Sequence, residues 1–353
     1  MDSAKISQEL KKWFFLNRRL LPWRENPSPY EVWVSEVMLQ QTQVSVVIAY
    51  FKRWMDAFPT IKALSEAPLE KVIKVWEGLG YYSRARNLHQ GARYLMEHQG
   101  GELPATYDEL QKVKGLGPYT IGAILSFAFK QKAPAVDGNV LRVLARYYCI
   151  EEEIDKGPTK RKIESLTQEI LPEDEPWIVM EALIELGALV CKKIPQCPVC
   201  PLKESCLAFQ RCKAELLPRK SKGPKTLHLH RLVAIIDTGQ EVLVRKGAAG
   251  KVMADLWEFP YFERGVNVEE ALGIPLEPIE KLPEVTHGFT RYKAYLYPHL
   301  YKAKKEDLPS YEWVSYKELS LRPFSAGHRK ILHHFKVLRR CNFSSSHGKI
   351  PCD

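Results

Sequence analysis

The sequence predicts two domains of different class: a mainly α domain over residues 1–213 and an α+β domain over residues 227–340. Three observations carry that expectation. Apolar residues recur at helical spacing through the first part of the chain. A basic stretch rich in Pro and Gly then breaks the rhythm. Beyond it the apolar runs are short and rich in β-branched and aromatic residues, as in strands. With 353 residues, 45% of them hydrophobic, the chain is long enough for about two domains with proper cores.

The elements follow in order. Ile6, Leu10, Trp13 and Phe14 are spaced for an amphipathic helix over residues 5–21, and further apolar helical faces lie at 30–51, 69–76, 84–98, 118–129 and 177–191. Residues 107–124 read as helix, tight turn, helix. Gly115 and Gly117 permit backbone angles that other residues resist, and Pro118 is placed to start the second helix. Such a turn aims backbone N–H groups and a helix N-terminus outward, which suits a phosphate. A lone Gly-x-Gly is as readily an ordinary helix corner, and Thr120 with a helix before it excludes a dinucleotide fingerprint. Residues 214–226 form the linker, strands are expected near 232–236, 242–245 and 292–297, and a helix near 325–340; the polar tail, 341–353, is expected to be disordered.

The balance of 52 basic and 42 acidic residues, net +10, favours a polyanionic partner and says nothing of fold. No run approaches the ~18 apolar residues of a membrane span. The opening Met1-Asp-Ser-Ala-Lys-Ile has neither the apolar core of a signal peptide nor the arginine-rich character of a transit peptide, so a cytoplasmic location with reduced thiols is expected. Four of the eight cysteines fall in Cys191-x5-Cys197-x2-Cys200-x5-Cys206. Clustered thiols in a reducing compartment mean metal before disulfide. Zinc and a 4Fe–4S cluster both accept four thiolates, and one Cys-x2-Cys knuckle flanked by single cysteines favours iron–sulfur.

Two carboxylates stand out. Glu36 sits among Trp33, Val34, Val37, Met38 and Leu39 on an apolar helix. Desolvation there would keep its proton near neutrality, which a general acid needs. The competing reading is a solvated helix-face glutamate. Asp137 lies in a small polar turn with Gly138 and Asn139, where it is expected to stay ionised. Such a divergent pair fits cleavage of a glycosidic bond.

The block 106–137 resembles the helix-hairpin-helix and catalytic aspartate of the endonuclease III superfamily of DNA glycosylases. Lyase members of that superfamily carry a lysine where this chain has Tyr119, and a phenol cannot form a Schiff base. Leu21-Pro-Trp-Arg24, the run from Pro29 to Gln43, and the run from Gly78 to Asn87 resemble the MutY family of adenine DNA glycosylases. The likeness is near continuous over 10–212 and weaker to about 335. It implies that Glu36 protonates adenine and later helps activate water, that Asp137 stabilises or captures the sugar cation, that Asn139 orients Asp137, and that Tyr119 hydrogen-bonds within the site. It implies an adenine pocket of Trp23, Arg24, Leu39, Val44, Glu181 and Ile184. Gln40 and Gln41 would wedge into the vacated stack and Tyr81 beside the opposite base, with the Gly115–Gly117 turn on the DNA backbone. It also implies a 4Fe–4S cluster on the four cysteines, presenting Lys192, Lys193 and Lys203 to phosphates; the family's first gap has six residues, this chain's five.

Past the linker, Leu256-Trp-Glu-Phe-Pro260 and the final helix resemble the family's Nudix-like domain, which reads 8-oxoguanine. Only Glu269 and Glu270 remain of a Nudix carboxylate set, which argues against phosphohydrolase activity. The family's Phe-Ser-His loop is matched by Phe289-Thr290-Arg291, with Arg in place of His. The expected fold is thus a helix-hairpin-helix glycosylase domain with an iron–sulfur lobe plus a Nudix-like α+β domain. The expected enzyme is a monomeric, nucleoid-associated, monofunctional glycosylase acting on duplex DNA with A:8-oxoG or A:G mispairs. A bifunctional glycosylase/lyase and a non-catalytic mismatch binder are the alternatives.

Overall fold

Helices joined by turns make up the first 213 residues, and five of the six expected apolar faces appear as helices at close to the expected bounds. In chain order the helices are α1 (Ser3–Asn17), α2 (Pro29–Leu39), α3 (Val44–Ala57), α4 (Ile61–Glu66), α5 (Leu69–Trp76), α6 (Ser83–His98), α7 (Tyr107–Leu110), α8 (Pro118–Ala123), α9 (Gly138–Tyr147), α10 (Gly157–Ile170), α11 (Pro176–Leu189) and α12 (Leu207–Gln210). The computed structural model describes residues 3–221, 223–248 and 253–345, with side chains to 339. Among the described residues no helix is long and apolar enough to cross a membrane.

The expected face over 30–51 is two helices. α2 ends at Leu39 and the chain reverses through Gln41, whose φ is +57°. The start of α2 is fixed by a capping box: the Ser28 hydroxyl accepts from Glu31 N–H, the Glu31 carboxylate accepts from Ser28 N–H, and Pro29 opens the helix. The first helix of the expected hairpin, α7, is a single turn. Gly115 has φ +87° and an added Cβ would lie 2.5 Å from that of Asn87, so both its angle and its space demand glycine. α8 runs into a π-helical turn, Ile124–Ala128.

The chain divides into two compact units, residues 1–66 with 87–222, and residues 67–86 with 223–353. The expected linker begins late: Ala214 and Leu217 are buried, Ile154 N–H donates to Arg219 C=O, and Ser221 N–H donates to Asp155, so these residues pack on the first unit. Residues 67–86, expected within the first domain, cluster with the second unit instead.

The second unit holds β1 (Leu227–Asp237), β2 (Glu241–Lys246), β3 (Trp257–Glu258), β4 (Tyr261–Glu263), α13 (Val268–Leu272), β5 (Glu277–Lys281), β6 (Val285–Phe289), β7 (Tyr292–Lys302), β8 (Glu312–Ser315), α14 (Tyr316–Leu319) and α15 (Ala326–Ser345). β1 and β7 pair in parallel along their whole length, from Leu227 opposite Tyr292 to Asp237 opposite Lys302. β2 and β4 join β1 antiparallel, β5 and β6 join β7 antiparallel, and β3 and β8 flank β2. The period of two places Val233 and Ile235 in a core with Phe259, Ile331 and Phe335, while Ala234 and Ile236 pack with Leu243 and Val268 on the other face. α15 continues to Ser345, taking in the first five residues of the expected disordered tail, and residues 346–353 lie outside the described residues.

Candidate active site

α2, α8, the turn before α9 and α11 converge on a cavity of about 630 Å³ within the first unit. Every carboxylate, aromatic and aliphatic residue expected in the catalytic and adenine sites lines it: Trp23, Arg24, Glu36, Leu39, Val44, Tyr119, Asp137, Asn139, Glu181 and Ile184, with Gln40 and Gln41 also in its wall. Gln40 donates to the Thr120 hydroxyl at 3.2 Å.

Glu36 is 6% exposed, on α2 among apolar neighbours. Burial pushes its carboxyl up to about 7; the Tyr119 hydroxyl, donating to Oε2 at 2.5 Å, and Arg24 pull it down, while Asp137 and Glu181 push it up. Burial and the two facing carboxylates hold the Tyr119 phenol well above its ordinary range, so it stays a donor. Asp137 caps α9. One carboxylate oxygen accepts from Asn139 N–H and Val140 N–H, both at 2.8 Å, and the other from Asn139 Nδ2 at 2.7 Å. The sequence places Asp137 in a small polar turn. Burial raises it as well, and its three donors oppose that rise. The contrast between the two carboxylates is therefore one of hydrogen bonding: a single donor on Glu36, three on Asp137.

Gly187 permits this arrangement, because a Cβ there would meet the Asn139 Cβ at 2.5 Å. Arg142 Nη2 then donates to Asn139 Oδ1 at 2.8 Å and to Gly187 C=O at 2.9 Å. Sequence reasoning missed Arg142, and also Arg19, Lys130 and Glu185. Lys130 and Arg19 line the cavity, and Glu185 is fully buried behind it. One signal for Glu185 was present: Glu181 and Glu185, four apart, are the only charges on the strongly apolar α11.

Cys191, Cys197, Cys200 and Cys206 line one small hollow of about 30 Å³ beyond α11. Arg146 Nη1 donates to Cys191 Sγ at 3.3 Å, and burial pushes the Cys200 thiol up to about 12. Among the described residues no group of three or more His, Cys, Asp or Glu side chains is arranged to hold a metal ion. Lys192 and Lys193 are exposed; Lys203 Nζ lies 5.4 Å from the Phe209 ring centroid.

The remaining expected contacts meet in the second unit. Tyr81, Thr290 and Arg291 line a cavity of about 870 Å³ with His287, Phe289 and Ser325. Tyr81 (φ +46°) is 47% exposed, and Thr290 (φ +47°) is exposed at the two-residue turn closing β6 on β7. Glu269 and Glu270 are exposed on α13. Gly115 and Gly117 form the turn ahead of α8, whose Pro118 and Tyr119 reach the first cavity.

Fold and site define a class, the helix-hairpin-helix base-excision glycosylases. Residues 34–173 match the profile of the HhH-GPD superfamily base excision DNA repair proteins, and residues 231–334 that of the NUDIX domain. A thermostable thymine-DNA glycosylase shares the fold, with a TM-score of 0.55 at 22% identity over 60% of this chain and 97% of that one. Endonuclease III in a non-covalent complex with DNA aligns with a TM-score of 0.52 at 27% identity, over 60% of this chain and 98% of its own. The adenine DNA glycosylase of Rattus norvegicus is 31% identical over 96% of this chain and 79% of its own length. That of Buchnera aphidicola subsp. Baizongia pistaciae is 34% identical over 84% and 86%, and that of Homo sapiens 43% identical over 61% and 42%. The chain belongs to the adenine DNA glycosylase family.

Proposed function

We propose that this enzyme removes adenine mispaired with 8-oxoguanine or guanine in duplex DNA, by hydrolysis and without strand cleavage. Membership of the family supplies the activity, adenine excision in base excision repair. The observation that carries the mechanism is the pairing of Glu36 and Asp137 in one cavity, the first accepting one hydrogen bond and the second three. A base inside a duplex is reached only by extrusion, and a mispaired one is the cheapest to extrude. Adenine would enter among Trp23, Arg24, Leu39, Val44, Glu181 and Ile184, with Gln40 and Gln41 filling the gap it leaves and the Gly115–Gly117 turn on a backbone phosphate.

Glu36, still protonated near pH 7, donates its proton to the departing adenine as the bond to C1′ breaks and the electron pair leaves with the base. Asp137, whose three donors favour the carboxylate against its burial and which Asn139 orients, faces the sugar cation. Water adds to C1′ and its proton passes to the Glu36 carboxylate, restoring the acid. Tyr119 keeps Glu36 in place and supplies no amine for a Schiff base. The four thiols around one hollow, with a guanidinium on one sulfur, suit a thiolate-bound group. Cys191, Cys197, Cys200 and Cys206 would hold a 4Fe–4S group, which when bound would brace the loop bearing Lys192 and Lys193 against DNA. Anaerobically purified protein with zinc and no iron would overturn that part. Tyr81, Thr290 and Arg291 would read the opposite 8-oxoguanine, and the enzyme would act as a monomer.

The test is a single-turnover assay on an adenine:8-oxoguanine duplex, run on a denaturing gel with and without alkali. Cleavage only after alkali is expected. Strand scission without alkali, with most of the protein trapped by borohydride, would favour the bifunctional alternative.

A further inference from the structure

The catalytic steps use Glu36, Asp137, Tyr119 and Asn139 and leave one buried acid unexplained. Glu185 has a fully buried side chain, yet it carries two guanidinium partners. Arg19 Nε and Nη2 donate to its two oxygens at 2.5 and 3.1 Å, and Arg24 Nη2 donates to Oε2 at 2.7 Å. Arg24 is held further by Nη1 donating to Arg19 C=O at 3.1 Å, and its Nε lies 3.2 Å from Glu181 Oε2. A chain of alternating charge thus runs from Arg19 through Glu185 and Arg24 to Glu181 in the cavity wall. A buried ion network gives little net stability against apolar residues of the same size, so stability alone is a poor reason for it. Its end is informative: Glu181 and Arg24 both face the cavity that holds Glu36.

We propose that Glu185 is a positioning residue for the excision reaction, clamping Arg24 across Glu181 so that this pair sets the field at the Glu36 carboxyl. The inference rests on Glu36 being the general acid. Without Glu185, Arg24 would lose the partner that draws its charge away from the cavity and would turn more fully onto Glu181. The titratable groups facing Glu36 are Arg24 ahead of α2, Tyr119 on α8, Asp137 before α9 and Glu181 on α11; Glu181 and Asp137 favour its protonated form, the Tyr119 hydroxyl and Arg24 the ionised one. Removing the negative charge at 185 and releasing Arg24 act in the same direction. Glu36 would lose its proton at lower pH.

The experiment is single-turnover excision from an adenine:guanine duplex as a function of pH, for the full-length protein, Glu185→Gln and Glu181→Gln. Glu36 works protonated, so the rate falls as pH rises through its titration. Both variants should move that alkaline limb to lower pH, and Glu185→Gln should slow excision at pH 7 by about tenfold. Thermal melting of each variant reports folding separately. A Glu185→Gln protein that loses rate or stability with the limb unmoved has only a structural role at 185, and the proposal falls. If Glu185→Gln does not fold, Glu185→Asp, which keeps the charge but draws it back from Arg24, decides on the same limb. Should Glu36→Gln retain excision, the general-acid reading fails first, and that outcome is distinct from an unmoved limb with Glu36→Gln inactive.

Discussion

The two cavities, one in each unit, are similar in size and opposite in chemistry. The first, about 630 Å³, has Glu36, Asp137 and Glu181 in its wall, with burial raising all three acids. The second, about 870 Å³, is lined by glycines, hydroxyls, aromatic rings and the cations Arg86, Arg291 and Lys293, without a single Asp or Glu. Acids held against their preference to ionise belong where protons move. Donors and flat rings belong where a shape and a hydrogen-bonding edge are read. Under the proposed function this contrast would divide the work, with chemistry in the first cavity and recognition of the opposite base in the second.

Four changes test that division, from the largest effect down. Glu36→Gln should cut excision by about 10²–10⁴-fold, since an amide keeps the shape and has no proton to give, while duplex binding persists. The same change should raise the melting temperature, more at pH 8 than at pH 5. The folded-state carboxyl is raised from 4.5 to about 7, so keeping it costs the native state as pH climbs above 4.5 and through 7. A variant still within tenfold of the parent rate would remove Glu36 from the acid's role. Next, a chain ended at Ser221 loses Thr290 and Arg291. We expect it to retain excision opposite guanine and to lose most of its preference for 8-oxoguanine, measured as the ratio of the two rates. An unchanged ratio would place the reader outside residues 223–353.

Tyr119→Phe removes the hydroxyl that lowers the Glu36 titration. Excision should slow by about tenfold, one lost hydrogen bond to a charged or developing charge, and the alkaline limb should move to higher pH. A limb that stays put would mean the rate is not governed by Glu36. The smallest effect is expected at Thr290. Thr290→Ala should cost ~1 kcal/mol of lesion preference, about fivefold in the ratio. Thr290→Gly separates the hydroxyl from the backbone, because φ +47° suits glycine better than a β-branched residue. Equal losses in the two variants point to the hydroxyl; a smaller loss with glycine points to the backbone.

The burial of Glu36 was legible because its neighbours along one helix are apolar, and local sequence reports local surroundings. The end of α2 at Leu39 was not, since Gln40 to Gln43 carry no Gly or Pro to announce a reversal. The burial of Asp137 was hidden for a related reason: its turn is polar in sequence, and what buries it comes from elsewhere in the fold. Glu185 was invisible in its role because Arg19 and Arg24 lie 166 and 161 residues away. The membership of residues 67–86 in the second unit was hidden likewise, since they are expected within the first domain. Helical periodicity identifies α5 and cannot say what it packs on.

That segment carries a consequence for how the chain is made. Glu70 accepts from Trp257 Nε1 at 2.8 Å and pairs with Arg322, while Glu77 accepts from Phe324 N–H at 2.7 Å and from Lys74 at 2.9 Å. Synthesis proceeds from the N-terminus, so α5 leaves the ribosome well before any strand of its own unit exists. The second unit closes only when its last helix arrives, by contacts spanning nearly 250 residues. Such long-range closure is slow. A nascent chain stalled before Trp257 would lack Trp257, Arg322 and Phe324, the long-range partners of Glu70 and Glu77.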